Sequence, residues 1–282
     1  MSSFEYASES ERKAWFERGL QLGKEKCIEL NIEPEFAQKF IREFAQGFVQ
    51  GHEQVRIETA KKLLEMNFPI KDISKVTGCT EEQILNLSKS IELSKKIDEM
   101  RRELQRRLKK SRFAHSIGVA NTAVKLAKRF GVDETKAYIA GLLHDCAREF
   151  ENDELPAQAE LRGIKIGEVE RAMPLLLHAY ISAKMIKEIY GVDDAEIAQA
   201  IYRHTVGARD MNKLDKIIYF ADMIEPNRNY PGVEKLRELA ETAELDEILL
   251  TAFSESIIFV VQKNSLIHPD TVAARNFLLL NR

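Results

Sequence analysis

The sequence predicts an all-α protein, and three observations support this fold class. Apolar residues recur at three- and four-residue steps along almost every long segment, which is the spacing of one helix face. Strict alternation of apolar and polar residues, as in a half-buried strand, is hard to find. Gly131, Gly191 and Gly207 follow periodic segments, where glycine commonly ends a helix. We therefore expect helices joined by turns.

Composition excludes several classes of protein. Of 282 residues, 44% are hydrophobic and 31% are charged, which favours a folded globular chain over disorder. The formal net charge of -3 gives no general attraction to nucleic acid or to an anionic membrane. No apolar run approaches the roughly 18 residues of a membrane span. The first residues lack the pattern of a signal peptide, so we expect a cytoplasmic protein without a membrane partner.

The three cysteines predict neither disulfides nor a thiolate metal site. Cys27, Cys79 and Cys146 are odd in number, far apart and without CxxC spacing. We expect all three to be reduced and to pack as ordinary structural residues.

Residues 1–92 predict a helical N-terminal module that serves in interactions. Its first segment, Glu11 to about Val55, reads as charged and helical, with Phe40, Phe44 and Phe48 forming a packing stripe. A second helix is expected from Ile57 to Met66, ended by the asparagine and proline that follow.

A helix-turn-helix outline follows in the same module. A short helix over Ile70–Val76 leads to a turn at Gly78, and Thr80 with Gln83 forms a capping box that opens the next helix. The candidate second helix, Glu81–Ser88, is acidic at its start and has no arginine, so we do not expect nucleic acid as a partner.

Residues 93–282 predict a second domain, an α-helical bundle whose helices have clearer ends. Asp133 or Thr135 is suited to cap the second of these helices, and Pro174 to kink the third just before His178. The expected helices are Lys109–Phe130, a segment ending at Arg148, Glu168–Tyr190, a segment from Asp193 or Asp194 through His204 to Gly207, Leu214–Ile224, Val233–Thr242, Asp246–Lys263 and Thr271–Leu280.

The apolar stretch Gly141–Ala147 contains His144 and Asp145 side by side. Burying such a pair without partners is costly, whereas a bound cation satisfies both side chains, so the first hypothesis is a metal site. A single buried histidine is more often a hydrogen-bonded core residue. The set is more informative, since four further metal-capable residues lie at helical positions with apolar neighbours, and a bundle core can gather them: His115, His178, His204 and Asp222.

The order His115, His144-Asp145, Asp222 is similar to the motif of the HD-domain metal-dependent phosphohydrolases. Within that superfamily, residues 111–282 resemble the YqeK family, the symmetrically cleaving diadenosine tetraphosphatases of bacteria. The matching segments are Arg112–Ala120, Ala140–Asp145, Leu177–Ala179, His204–Gly207, Ile217–Arg228, Pro231–Val233 and Ile267–Thr271.

The resemblance implies an iron-bound site that hydrolyses diadenosine tetraphosphate to two ADP. His115, His144, Asp145 and Asp222 would be metal ligands, with His178 and His204 completing a second metal position or facing the phosphates. All of these side chains except His144 would also face the nucleotide. Further contacts with it are implied for Arg112, Thr205, Arg228 and the stretch Ser265–Asp270, including Ile267, His268 and Asp270.

The residue types agree with this chemistry. Histidine and aspartate suit iron, manganese or zinc, and leave the choice between them open. Two metals about 3.5 to 4 Å apart would activate a water for in-line attack. We expect Asp145 also to orient that water, and His178 or His204 to protonate the departing ADP.

Two other hypotheses stay open. The same site would act on another nucleotide, such as a guanosine alarmone, a dNTP or a cyclic nucleotide, although the HD-GYP signature is absent. Alternatively, the domain would sense a nucleotide and control the N-terminal module. That module resembles the helical tail of Rpn-type transposase/nuclease proteins at Ala60–Met66 and Ile73–Gly78, without their catalytic residues, which implies an interaction or spacer role. A homodimer is also considered.

Overall fold

The structure, a computed structural model, describes residues 7–281 and confirms the all-α fold class. These residues form fourteen α-helices and two short 3-10 helices, and no strand occurs among them. The chain divides into two compact units, Met1–Lys96 and Ile97–Arg282. Within the described part of the chain, no helix is both long enough and apolar enough to cross a membrane.

The first unit contains α1 (Glu9–Glu29), α2 (Pro34–Glu65), α3 (Ile70–Thr77) and the beginning of α4 (Glu81–Arg107). The segment from residue 11 to about 55 is helical as predicted, but it is divided between two helices. The chain turns at residues 30–33, where Asn31 has a left-handed φ of 51°. Proline suits the first turn of a helix, so α2 starts at Pro34. Nothing interrupts α2 near residue 56, and the helix predicted from residue 57 is its last part.

The helix-turn-helix segment has the predicted caps. Gly78 ends α3 in a left-handed conformation, with a φ of 68°. The backbone N–H of Thr80 donates to Gln83 Oε1 at 2.8 Å, and that of Gln83 donates to Thr80 Oγ1 at 3.2 Å. A small core fills the space between these helices, formed by Ala60, Ile73, Cys79, Ile84 and Leu87.

The second unit is a larger helical bundle. Short 3-10 helices lie at Cys146–Glu149 and Pro174–Leu176. Its α-helices after α4 are α5 (Lys110–Phe130), α6 (Glu134–Leu143), α7 (Leu155–Leu161), α8 (Glu168–Ala172), α9 (Leu177–Tyr190), α10 (Ala195–Arg203), α11 (Lys213–Ile224), α12 (Val233–Thr242), α13 (Leu245–Gln262) and α14 (Pro269–Leu280).

The helix predicted to reach Arg148 ends at Leu143 instead. The Ala147 N–H, which would continue the helix by donating to Leu143, donates to Ser182 Oγ at 3.0 Å. A hydrogen bond from another helix thus replaces the local one. The next turn is 3-10, so His144 and Asp145 lie at the end of α6.

Two further helix predictions need correction. The helix predicted over Glu168–Tyr190 is three pieces, because Pro174 has no N–H to donate and Met173 before it is not helical. The short helix α7, at Leu155–Leu161, was not predicted from the sequence at all. Asp133 and Asp194 cap α6 and α10 as expected.

The core of the second unit places five helices around one point. α5 packs against α6 and α11, and α10 packs against α9, α6 and α11. The largest fully buried side chains include Leu142, Leu143, Leu177, Ile181 and Phe220. These helices carry, or end next to, the histidines and aspartates that the sequence singles out.

Candidate metal centre

All six predicted ligand residues meet in the second unit. His115 lies on α5, His178 at the start of α9 and Asp222 on α11. The adjacent residues His144 and Asp145 follow α6, and His204 follows α10. All four histidines and Asp145 are buried, and the side chain of Asp222 is 21% exposed.

One group of ligand atoms consists of His115, His144 and Asp222. The Nε2 atoms of the two histidines are 3.3 Å apart. Asp222 Oδ1 lies 3.0 Å from His115 Nε2 and 3.8 Å from His144 Nε2. These three donor atoms are close enough together to bind one ion.

A second group lies on the other side of Asp145. His178 Nε2 and His204 Nε2 are 3.1 Å apart, and lie 3.1 and 3.8 Å from Asp145 Oδ1. The other oxygen, Oδ2, is 3.8 Å from both His115 Nε2 and His144 Nε2. Asp145 therefore faces one histidine pair with each of its oxygens.

Hydrogen bonds at Nδ1 orient the four imidazoles. Backbone carbonyls accept from three of the rings: Gly141 from His144 at 2.8 Å, Ile201 from His204 at 2.7 Å, and Leu175 from His178 at 2.5 Å. When Nδ1 carries the proton, the lone pair of Nε2 is directed at the cluster, as in metal-bound histidines. The donor set thus fits a divalent cation.

At His144, His204 and Asp145, burial and charge favour the protonation states of a metal site. Burial lowers the pKa of His144, and together with its histidine neighbours it lowers the pKa of His204 to about 3. Burial alone would raise the pKa of Asp145, but the surrounding histidines hold it well below its usual value. Neutral imidazole and ionised carboxylate are the forms that bind metals.

The arginines predicted from the resemblance lie at the edge of the cluster. Arg112 Nη1 donates to Asp145 Oδ2 at 3.2 Å. Arg228 donates through Nη2 to the Asp222 carboxylate and through Nε to the Asp222 carbonyl at 2.8 Å. Both side chains are more than one-third exposed, so each guanidinium can also contact a ligand.

A cavity of about 720 Å³ opens beside Asp222 and Arg228. Thr205 also lines it, with Oγ1 3.2 Å from His204 Nε2. Ile267 and His268 also line the cavity, whereas the exposed side chain of Asp270 does not. The other walls are mostly apolar and include Met173, Leu176, Tyr219, Tyr230, Ile257, Phe259, Val260 and Leu266.

Sequence reasoning missed two buried glutamates. Glu225 accepts from His115 Nδ1 at 3.0 Å, and Glu170 accepts from His268 Nε2 at 3.1 Å. Glu225 follows Asp222 by one helical turn, a spacing that puts both acids on one face and was a usable signal. Glu170 precedes His268 by 98 positions, so no local pattern reveals that contact.

An all-α bundle that gathers four histidines and two aspartates defines the class of the protein as a divalent-metal-dependent hydrolase of the HD type. A family profile described as "HD domain" matches residues 112–227, which include all six ligand candidates. This match agrees with the motif found in the sequence.

The relatives define the family more closely. Symmetrical bis(5'-nucleosyl)-tetraphosphatase of Bacillus subtilis (strain 168) is 39% identical over 176 residues, 62% of this chain and 94% of that protein. The enzyme of the same name from Staphylococcus aureus (strain NCTC 8325 / PS 47) is 32% identical, over 64% of this chain and 93% of the relative. The chain belongs to the family of symmetrical bis(5'-nucleosyl)-tetraphosphatases.

A solved structure resembles about two thirds of the chain. It is the crystal structure of a predicted HD superfamily hydrolase involved in NAD metabolism from Clostridium acetobutylicum, 37% identical, with a TM-score of 0.63. The similarity covers 98% of that chain and 66% of this one.

Proposed function

We propose that this protein hydrolyses diadenosine tetraphosphate symmetrically to two ADP at the His–Asp cluster. The observation that carries the proposal is the position of Asp145 between two histidine pairs, in a site whose Asp222 lines a cavity of about 720 Å³. Such a cavity is within the size range of sites for small organic ligands. The names of the relatives from B. subtilis and S. aureus support the choice of substrate.

We propose two divalent ions, one held by each histidine pair, with Asp145 shared between them and Asp222 completing the first site. Bound there, divalent ions supply positive charge for the phosphates and acidify a water molecule. Iron is our proposal from the family resemblance, and manganese and zinc also accept these ligands.

The remaining side chains bind and orient the substrate in this proposal. Arg112 and Arg228 present planar guanidinium groups to phosphate oxygens, and Thr205 offers a hydroxyl beside them. Asp145 holds the attacking water in line with the scissile bond. The apolar wall together with Ile267 and His268 receives a nucleoside. For Asp270, which lies outside the cavity, a contact with substrate stays a prediction.

The sequence also suggested His178 or His204 as the proton donor to the departing ADP. The low pKa of His204 means that it carries no spare proton at Nε2 near pH 7. We favour the ligand role for both rings because their Nε2 atoms lie 3.1 and 3.8 Å from Asp145 Oδ1.

Product analysis tests the proposal directly. The purified protein, loaded with Fe²⁺ under anaerobic conditions, is incubated with diadenosine tetraphosphate, and the products are separated by chromatography. We expect ADP alone. AMP with ATP would contradict symmetric cleavage, and turnover only of an alarmone, a dNTP or a cyclic nucleotide would replace the proposed substrate. A cytoplasmic location, a homodimer, and an interaction role for residues 1–92 stay predictions.

A further inference from the structure

Glu225 is a buried acid with an unusual position beside the metal centre. It follows α11 directly, and only 1% of its surface is exposed. Its Oε1 lies 3.0 Å from His115 Nδ1. Its Oε2 accepts from the backbone N–H of Asn227 at 2.7 Å and from Asn227 Nδ2 at 2.9 Å. Both carboxylate oxygens are therefore used, and the group is held from two sides.

The neighbouring helix leaves room for this carboxylate. A Cβ atom at Gly118 on α5 would lie 2.4 Å from Glu225 Oε2, closer than any normal contact. Glycine at this position lets the carboxylate approach α5 closely. His115 lies on the same helix, one turn before Gly118. The carboxylate, Asn227 and Gly118 form an arrangement that fixes one imidazole.

His115 differs in this respect from the other three histidines of the centre. His144, His178 and His204 each donate to a backbone carbonyl three residues earlier in the chain. His115 instead faces a charged carboxylate from another helix. A carboxylate partner fixes the tautomer, with the proton on Nδ1, and makes Nε2 a stronger electron donor. That Nε2 atom lies 3.0 Å from Asp222 Oδ1, inside the first ligand group.

From this geometry we propose that Glu225 is a positioning residue, which strengthens metal binding by His115 without contacting the metal. The inference rests on the metal centre of the proposed function. It adds a residue that contacts a metal ligand but not the metal itself, and whose effect on metal affinity can be measured. Outer partners of metal-bound histidines change metal affinity by about 10- to 100-fold when they are removed. The same effect is expected for the ion that His115 binds.

The test is a titration of the metal-free, full-length protein with Mn²⁺, in which free Mn²⁺ is followed by electron paramagnetic resonance. The variants are Glu225→Gln, which keeps an acceptor but loses the charge, and Glu225→Leu, which loses both. His115→Ala removes this ligand, so the Mn²⁺ ion whose binding is weakened in that variant is the one that His115 binds. We expect that ion to bind about 10-fold more weakly in E225Q and about 100-fold more weakly in E225L.

A matched control is available within the chain. Glu170 is also a buried glutamate that accepts from a histidine, His268, but that histidine is not a ligand candidate. Glu170→Gln should leave the Mn²⁺ affinity unchanged. Gly118→Ala is a second route to the same effect, because it displaces Glu225 Oε2 without changing its chemistry, and it should also weaken Mn²⁺ binding.

The outcomes separate this inference from the proposed function. A purely structural role would lower the unfolding temperature of the metal-free variants and leave the affinity of the folded molecules as in the wild type. Wild-type affinity in E225L, or in G118A if E225L does not fold, would overturn the role of Glu225 and leave the metal centre intact. Failure of the wild-type protein to bind Mn²⁺ would overturn both.

Discussion

Asp145 connects the two halves of the metal centre at the scale of a single residue. Its oxygens face different histidine pairs, and Arg112 contacts the oxygen on the side of His115. Each of the four histidines has its Nε2 atom within 3.8 Å of one of these two oxygens. Removal of this carboxylate should therefore affect both proposed ions at once.

Replacement of Asp145 by asparagine should abolish function. The amide would keep the shape of the side chain but lose its charge. We therefore expect the metal content measured by mass spectrometry to fall. Turnover should fall by more than about 100-fold, which exceeds the usual effect of removing a residue that only hydrogen-bonds to a metal ligand. Asp153→Asn, at an exposed aspartate eight positions later, is the control and should behave like the wild type. Normal activity of D145N would reject the assignment of the site.

Glu170 gives a pH-dependent contribution to stability. Burial raises its pKa, but hydrogen bonds from its own backbone N–H, His268 and Tyr180 outweigh burial, and the net pKa lies below the usual 4.5. For an acid with a lowered pKa, the stabilisation is present above the unfolded value and is lost as the pH falls through the folded value.

The free energy of unfolding of the wild type should therefore fall more steeply than that of Glu170→Gln as the pH drops from about 5 to 3. At pH 7 the variant should be less stable by about 1 kcal/mol, the size of a typical hydrogen-bond contribution. Urea denaturation at a series of pH values measures both effects. Parallel stability curves for the two proteins would contradict this contribution of Glu170.

At the scale of elements, the contact of α5 with α6 depends on Gly141. A Cβ atom at this position would lie 2.8 Å from the Cα of Ala120 and 3.0 Å from its backbone N. Backbone atoms cannot move aside as a flexible side chain can. The close approach also brings His115 on α5 within reach of His144, three residues after Gly141.

Gly141→Ala should lower the free energy of unfolding by about 1–3 kcal/mol, the usual cost of forcing extra volume into a packed core. Gly47→Ala is the matched control, since Gly47 lies in the middle of α2 with open space where the Cβ would be. That control should be neutral or stabilising by about 0.4–1 kcal/mol, because alanine restricts the unfolded chain. Equal stability of the G141A variant and the wild type would show that α5 and α6 can move apart without a loss of free energy of unfolding.

For the whole molecule, the two units differ in how much of the site they contain. All ligand candidates, both arginines and the cavity belong to Ile97–Arg282. The B. subtilis relative is matched over 94% of its length by 176 residues of this chain. That length is close to the size of the second unit alone.

A shortened protein containing residues 93–282 should keep the proposed hydrolysis, with kcat/KM within about threefold of the full chain, or ~0.7 kcal/mol in activation free energy. The start at residue 93 retains Ile97, Met100 and Leu104, which belong to the larger hydrophobic core or pack against it. Steady-state kinetics with diadenosine tetraphosphate measures the effect. A folded fragment with a large loss of kcat/KM would show that the first unit takes part in catalysis.

Local patterns in the sequence predicted much of this structure, because they depend on neighbouring residues. The cap at Gly78, the capping box of Thr80 and the aspartate caps of α6 and α10 are all satisfied within one turn of backbone. One helix end was predicted wrongly because a distant group decides it. It is the end of α6, where Ser182 on α9 takes the N–H of Ala147.

The sequence by itself determined the fold class, the set of histidines and aspartates, and the family, since periodicity and motif order are properties of the linear chain. Only the tertiary structure decided which oxygen of Asp145 faces which histidine pair, that Glu225 supports His115, and that Ile267 but not Asp270 lines the cavity. The physical reason is that side chains up to 110 positions apart meet only after the helices have packed, and packing geometry sets distances that spacing along the chain does not.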